Sequence, residues 1–188
     1  MYEIELKAHV YDKPNTIKKI NTFATYLGDC HKKDTYWINQ TTNQQIRIRC
    51  ILYEKNRESK TYIVTYKQKQ IKNSEDGSTC EVNKEHEFTI NNPNSLEEFL
   101  KDAGFAILRK KEKITSQWEY QNTLLELCTV PPLGDFLELE IIAKDNAEST
   151  VTKAKEELLN ILTKCEIEKK HIEPKYYNQM IQEYIELN

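Results

Sequence analysis

The chain has 188 residues, with 27 Lys plus Arg against 30 Asp plus Glu and a formal net charge of −3. Four glycines and five prolines exclude collagen-like and low-complexity classes, and the near-neutral balance argues against a general nucleic-acid binder, which carries a basic excess. No apolar run approaches the roughly 18 residues of a membrane helix, the start Met1-Tyr2-Glu3-Ile4-Glu5-Leu6-Lys7 has neither the basic nor the apolar stretch of a secretory signal, and Cys30, Cys50, Cys80, Cys128 and Cys165 are scattered and odd in number. The expectation is one domain over 1–188, cytoplasmic, with reduced thiols.

In chain order, strand periodicity opens at 2–10. Pro14 then begins a helix carrying Ile17, Ile20, Phe23, Ala24 and Leu27, which Gly28 ends. Strands are expected near 34–39, 45–53 and 60–69, with a polar turn at Thr41-Thr42-Asn43 and a mobile loop over 70–79 that contains Ser74-Glu75-Asp76-Gly77. After a strand at 80–90, Ser95 and Glu98 form the capping-box pattern of a second helix, which Gly104 ends. Strands follow at 105–114, 116–121, 123–129 and 135–143. A third helix runs from about Ala147 to Lys164 with Val151, Ala154, Leu158, Ile161 and Leu162 on one stripe. A fourth starts at Pro174 and is expected to bury Tyr177, Met180, Ile181 and Tyr184. Short links between most strands favour antiparallel pairing.

The informative feature is which residues alternate along the strands. Glu3, Glu5 and Lys7 share one face while Ile4, Leu6 and Ala8 share the other. Same-sign pairs recur at Arg47/Arg49, Glu85/Glu87, Lys111/Lys113 and Glu138/Glu140, with Thr65 and Lys67 alternating likewise and Arg109 in the row of Lys111. A half-exposed sheet, apolar within and charged without, accounts for alternation but has no need to group charges by sign. If helices cover the apolar face, the charged faces turn inward and line a barrel. Such an interior is tolerable around a highly charged ligand: carboxylate rows attract Mg²⁺ or Mn²⁺, and Arg and Lys rows attract phosphate oxygens. Together they describe a metal–polyphosphate complex.

The segments resemble, in order, the CYTH superfamily of triphosphate tunnel metalloenzymes, which includes class IV adenylate cyclases, thiamine triphosphatases and inorganic tripolyphosphatases. Glu3-Ile4-Glu5-Leu6-Lys7 matches the E-x-E-x-K opening, and Asp34-Thr35-Tyr36-Trp37, Arg47-Ile48-Arg49, Thr65-Tyr66-Lys67, Glu85-His86-Glu87, Lys111-Glu112-Lys113 and Leu133-Gly134-Asp135-Phe136-Leu137-Glu138-Leu139-Glu140 follow. The chain departs from the pattern at Cys128, where an Asp is usual, at Lys113 in place of Arg and at Lys175 in place of Ser.

The resemblance implies an α+β fold, a closed antiparallel eight-stranded β-barrel forming a triphosphate tunnel with helices packed outside. It implies Glu3, Glu5, Glu87, Glu138 and Glu140 as ligands of two Mg²⁺ or Mn²⁺ ions; Lys7, Arg47, Arg49, Lys67, Lys111 and Lys113 as the triphosphate clamp; and Lys7, Tyr36 and Lys67 as catalytic groups. Glu81 and Glu126 are read as surface or rim residues, Arg109 as equally a tunnel or solvated arginine, and the four histidines as structural or exposed. The implied activity is that of an adenylate cyclase, ATP to cyclic AMP and pyrophosphate, a phosphorus–oxygen lyase. The alternatives are a triphosphatase acting on tripolyphosphate, a nucleoside triphosphate or thiamine triphosphate, and a non-catalytic polyphosphate or nucleotide-binding module. The partner is a nucleoside triphosphate or inorganic tripolyphosphate, not nucleic acid and not a membrane, and the cyclase branch implies a homodimer.

Overall fold

A computed structural model describes residues 2–54, 56–73 and 79–187. These form eight strands, β1 (Tyr2–Val10), β2 (Thr25–Asn39), β3 (Gln45–Tyr53), β4 (Asn56–Asn73), β5 (Thr79–Ile90), β6 (Phe105–Tyr120), β7 (Thr123–Val130) and β8 (Gly134–Ala143), with helices α1 (Lys13–Ile20), α2 (Asn94–Asp102), α3 (Glu148–Lys164) and α4 (Tyr177–Leu187). The strands close into a barrel in the order β1-β5-β4-β3-β2-β6-β7-β8. Two antiparallel meanders, β2 to β5 and β6 to β8, supply the walls, and α1 and α2 carry the chain between strands that are not neighbours. None of the helices is long and apolar enough to cross a membrane.

Each strand splits its side chains by parity. On β1, Ile4, Leu6 and Ala8 point out of the barrel and join Leu125, Leu127, Leu137, Leu139 and Ile141 beneath Val151, Ala154, Leu158, Ile161 and Leu162 of α3. A second outer cluster places Leu100 of α2 over Trp37, Ile48 and Val64. The expected stripe of α3 is therefore the buried one, and the apolar faces of the strands lie outside the barrel, under helices.

β1 meets β8 along its whole length but pairs with β5 only from Tyr2 to Glu5. Its remaining edge is completed from the other end of the chain, by a bridge from Ala8 to Ile172 and by the Glu173 amide, which donates to the Lys7 carbonyl at 2.8 Å. This strap leads into α4, whose Tyr177 and Met180 pack with Cys128, Val130 and Phe136 at one end of the barrel.

Several expected boundaries move. The first helix is capped by Asp12, whose carboxylate accepts from the Asn15 amide at 3.0 Å, and stops at Ile20. Phe23 and Ala24 instead sit in a turn against the core, Leu27 is exposed, and Gly28 serves a bulge inside β2, where φ of +135° suits a residue without a Cβ. The capping box of α2 does not form: Glu98 pairs with Lys101 at 2.7 Å, and no side chain caps the helix. The two strands expected at 105–114 and 116–121 are one, β6. The loop expected over 70–79 is strand as far as Asn73 and again from Thr79, and the turn expected at 74–77 lies outside the described residues. On α4, Tyr184 is exposed and Ile181 half-buried, because the helix covers a barrel mouth and not a full sheet face.

The outer-face leucines give a direct check on this division. Leu139 is fully buried between sheet and α3, so Leu139→Ala is expected to lower the unfolding free energy by about 3 kcal/mol, read as a lower urea midpoint at unchanged slope.

Candidate active site

The inward side chains surround a cavity of about 1410 Å³. Their charges divide into an acidic pole, a cationic pole and an ion-paired group between.

The acidic pole gathers Glu3 and Glu5 of β1, Glu81 and Glu85 of β5 and Glu140 of β8. Lys67 of β4 reaches into it, its Nζ 2.6 Å from Glu3 Oε1, 2.8 Å from Glu85 Oε1 and 3.8 Å from Glu5 Oε2. Asn83 Nδ2 donates to Glu3 at 3.3 Å and to Glu81 at 3.4 Å. Burial, assisted by Glu138 and Glu3, pushes the Glu5 carboxyl up to about 7 against the pull of Lys67. Burial followed by Glu3 and Glu5 pushes Glu140 up to about 9. The same crowd outweighs the burial of Lys67 and holds its ammonium well above the ordinary lysine range. This pole is short of positive charge, and its donors are all oxygens, the set that suits Mg²⁺ or Mn²⁺.

The cationic pole is built on β2, β3 and β6. Arg49 grips Asp34 with two bonds of 2.7 and 2.9 Å, and Lys111 Nζ lies 3.5 Å from Asp34 Oδ2. Burial opposes ionisation of Asp34, but Arg49 and Lys111 hold its carboxyl well below the usual range. The Tyr36 hydroxyl donates to Asp34 at 3.4 Å, and although burial works against it, Lys111 draws the phenol below its ordinary pKa. Arg47 donates to Thr65 at 2.8 Å and to Glu87 at 3.2 Å. Glu87 thus pairs with Arg47 and accepts from Thr65 as well.

Between the poles, Lys113 bridges Glu126, at 3.1 Å, and Glu138, while Lys32 and Gln117 also bind Glu126, the latter at 2.7 Å. Burial disfavours both carboxylates, and Lys113 overrides it, leaving Glu138 at about 2 and Glu126 well below the ordinary range. Cys128 lies beside them, and its Sγ and one oxygen of each glutamate fall within 4.8 Å of one another. Burial and Glu138 push that thiol up to about 12, so it keeps its proton and adds no charge.

The end of the barrel under α4 engages two further cations, Lys7 and Arg109, together with Lys111. Lys7 Nζ donates to the Lys175 carbonyl at 2.5 Å, Arg109 donates to the Asn178 carbonyl at 2.6 Å, and Lys7 and Lys111 sit 4.6 and 4.7 Å from the centre of the Tyr177 ring.

All twelve residues singled out in the sequence, Glu3, Glu5, Lys7, Tyr36, Arg47, Arg49, Lys67, Glu87, Lys111, Lys113, Glu138 and Glu140, line this one cavity. Glu81 and Glu126 correct the sequence reading: both are buried inside the tunnel, not on its rim or surface. Lys32, Asp34, Gln117 and Tyr177 complete the networks; Lys32-x-Asp34-x-Tyr36 carries the same period-two signal as the rows, with mixed charge.

Two outcomes follow. Arg49→Ala leaves the buried Asp34 carboxylate with only the longer contacts to Lys111 and the Tyr36 hydroxyl and is expected to cost about 3 kcal/mol of unfolding free energy, measured by urea denaturation. For Glu5 and Glu140, the folded pKa exceeds the unfolded value of 4.5, so the metal-free folded state holds more protons and loses stability as pH rises from about 4.5 to 9. Glu140→Gln, which imitates the protonated acid, is expected to raise the melting temperature of metal-free protein at pH 9 and to leave it nearly unchanged at pH 4.5.

Comparison with known proteins agrees with this architecture. The family model of the CYTH domain matches residues 1–177. The fold is shared with the PH1819 protein of Pyrococcus horikoshii OT3, 23% identical over 97% of this chain and 99% of that one, with a TM-score of 0.79. It is shared with a candidate adenylate cyclase of Vibrio parahaemolyticus, 16% identical over 97% and 98%, with a TM-score of 0.75. It is shared also with HpAC1 of Hippeastrum, a candidate adenylyl cyclase described as having a dominant triphosphatase activity, 15% identical over 92% and 90%, with a TM-score of 0.58. No curated protein matches the chain at a significant level. The chain belongs to the CYTH family.

Proposed function

We propose that this CYTH-domain protein is a metal-dependent enzyme that breaks a phosphoanhydride bond of a triphosphate seated in its barrel, and that it acts as a class IV adenylate cyclase, converting ATP to cyclic AMP and pyrophosphate. The observation that carries the reading is the pairing of an undercompensated carboxylate pole with a cationic pole in one cavity inside the barrel. Glu3, Glu5 and Glu140 are the residues that would hold Mg²⁺ or Mn²⁺, with Glu138 joining where Lys113 turns to phosphate; for two ions, Glu81 and Glu85 stand alongside. When bound, the metal supplies neutralisation of phosphate oxygens and a lowered pKa for the attacking hydroxyl.

The protein's own cations do the rest of the binding. Arg47, Arg49, Lys111 and Lys113 offer the donors that fit phosphate oxygens, and they exchange carboxylate partners for phosphate as the substrate seats. The fixed guanidinium and ammonium groups then stabilise charge as it shifts toward the leaving group, without reorganising. Lys7 reaches the same space from β1. Lys67 holds Glu3, Glu5 and Glu85 in place and tempers their repulsion. Tyr36, with its phenol pKa drawn down by Lys111, is the group able to donate a proton to a departing phosphate oxygen.

That tyrosine favours one second reading, hydrolysis of a nucleoside triphosphate, thiamine triphosphate or tripolyphosphate with water as the attacking oxygen. Product analysis separates the two. Purified protein incubated with ATP or tripolyphosphate and Mg²⁺ or Mn²⁺ is expected to give cyclic AMP with pyrophosphate; free phosphate in its place establishes hydrolysis, and binding without turnover at any metal or pH establishes a non-catalytic module. Glu5→Gln is expected to lower metal-dependent turnover by about a hundredfold or more with the circular dichroism spectrum unchanged, and survival of full activity would remove Glu5 from the metal site.

A further inference from the structure

Lys7 differs from other inward lysines in what holds it. Lys32, Lys67 and Lys113 end on carboxylates. Lys7 is as deeply buried as they are, yet its Nζ donates to the backbone carbonyl of Lys175, and the Glu81 carboxylate stands off at 4.0 Å. A carbonyl takes one of the three N–H donors and cancels no charge. Lys7 is therefore aimed into the cavity without being neutralised.

The carbonyl that aims it is itself held from both sides. The side chain of Lys175 takes no part, since its Nζ pairs with exposed Glu183 at 2.8 Å. Two residues earlier, Glu173 Oε1 accepts from the Lys175 amide at 2.8 Å, and Glu173 Oε2 meets His9 Nε2 at 3.0 Å. The Glu173 amide donates to the Lys7 carbonyl at 2.8 Å, so this one residue touches β1 at both Lys7 and His9. Pro174 between Glu173 and Lys175 has a fixed φ and no amide to compete for the carboxylate. On the other side of the carbonyl, Gln179 Oε1 of α4 accepts from the Tyr176 amide at 2.9 Å.

We infer that Glu173, backed by Gln179, is a positioning residue for Lys7: it fixes the Lys175 carbonyl where that carbonyl directs the Lys7 ammonium toward the phosphates of the bound triphosphate. The inference rests on the triphosphate reading above and adds to it a residue from outside the barrel strands. A lysine has a flexible four-carbon stem, and a free one loses rotamer entropy when it binds phosphate. A seated one has lost it already, on folding, and binds with less further cost.

The test is a double-mutant cycle on the full chain with Mg²⁺, read by titration calorimetry with a bismethylene-bridged ATP analogue that cannot be cleaved. Lys7→Ala is expected to weaken binding about tenfold, and Glu173→Ala about fivefold. Glu173→Gln, whose Oε1 still accepts from the Lys175 amide, is expected to stay within about twofold of the wild type. In the Lys7→Ala background, Glu173→Ala is expected to change affinity by less than about twofold, because the group it acts through is gone. A merely structural role would weaken binding by the same factor in both backgrounds. Gln179→Ala runs through the same cycle with the same expectation and decides the matter if Glu173→Ala loses its circular dichroism spectrum. Wild-type affinity in Lys7→Ala or in the folded strap variants, or equal losses in the two backgrounds, overturns the positioning role and leaves the triphosphate reading standing. Failure of the wild type to bind the analogue overturns the parent reading and this one with it.

Discussion

A closed barrel has an inside, and period-two geometry sends every second side chain of every strand into it. In this chain many of the side chains sent inward are charged. The rest of the structure depends on how that interior charge is accommodated. Arg49 with Asp34, and Lys113 with Glu126 and Glu138, settle into pairs that hold their acids ionised. Glu5 and Glu140 do not find enough partners, and their carboxyls rise to about 7 and 9. Buried ion pairs add little net stability compared with packed apolar groups. An interior built this way is a poor device for holding a fold together and a good one for receiving a charged guest.

Stability comes from the opposite face of the same strands. Ile4, Leu6, Leu125, Leu137 and Leu139 are buried outside the barrel wall under α3, and Trp37, Ile48 and Val64 under α2. Two functions are thereby separated residue by residue along one strand. Leu137, Leu139 and Ile141 contribute to folding, while Glu138 and Glu140 between them shape the site. A substitution on one parity need not disturb the other.

That separation explains what was legible in the sequence. Rows such as Glu3/Glu5 and Arg47/Arg49 announce a shared face because like charges repel unless something gathers them, and the apolar residues between them demand a cover. Glu126 was missed because it stands alone between Leu125 and Leu127, a pattern that fits an ordinary exposed position equally well; its burial comes from Lys32 and Lys113, supplied by two other strands. Glu81 was missed for a similar reason, since its surroundings are set by β1 and by Lys7 across the seam. The overlong first helix reflects Phe23 and Ala24, which keep helical spacing but are half-buried in a turn against the core, Phe23 edge-on to Tyr120. Local periodicity cannot tell those two solutions apart; only the distant strand decides.

The clasp on β1 carries a consequence for the order in which the molecule assembles. Tyr2 to Glu5 can meet β5 early, but the other flank of that strand waits for β8, and its free edge waits for residues 172 and 173. The bonds that seat Lys7 and His9 join positions 168 and 164 apart in the chain. Contacts of such sequence separation form late, after long loops have been closed against their entropy. The opening strand, which bears Glu3, Glu5 and Lys7, is therefore among the last to be fully engaged, and the chamber acquires its electrostatic character only when head and tail of the polypeptide have met.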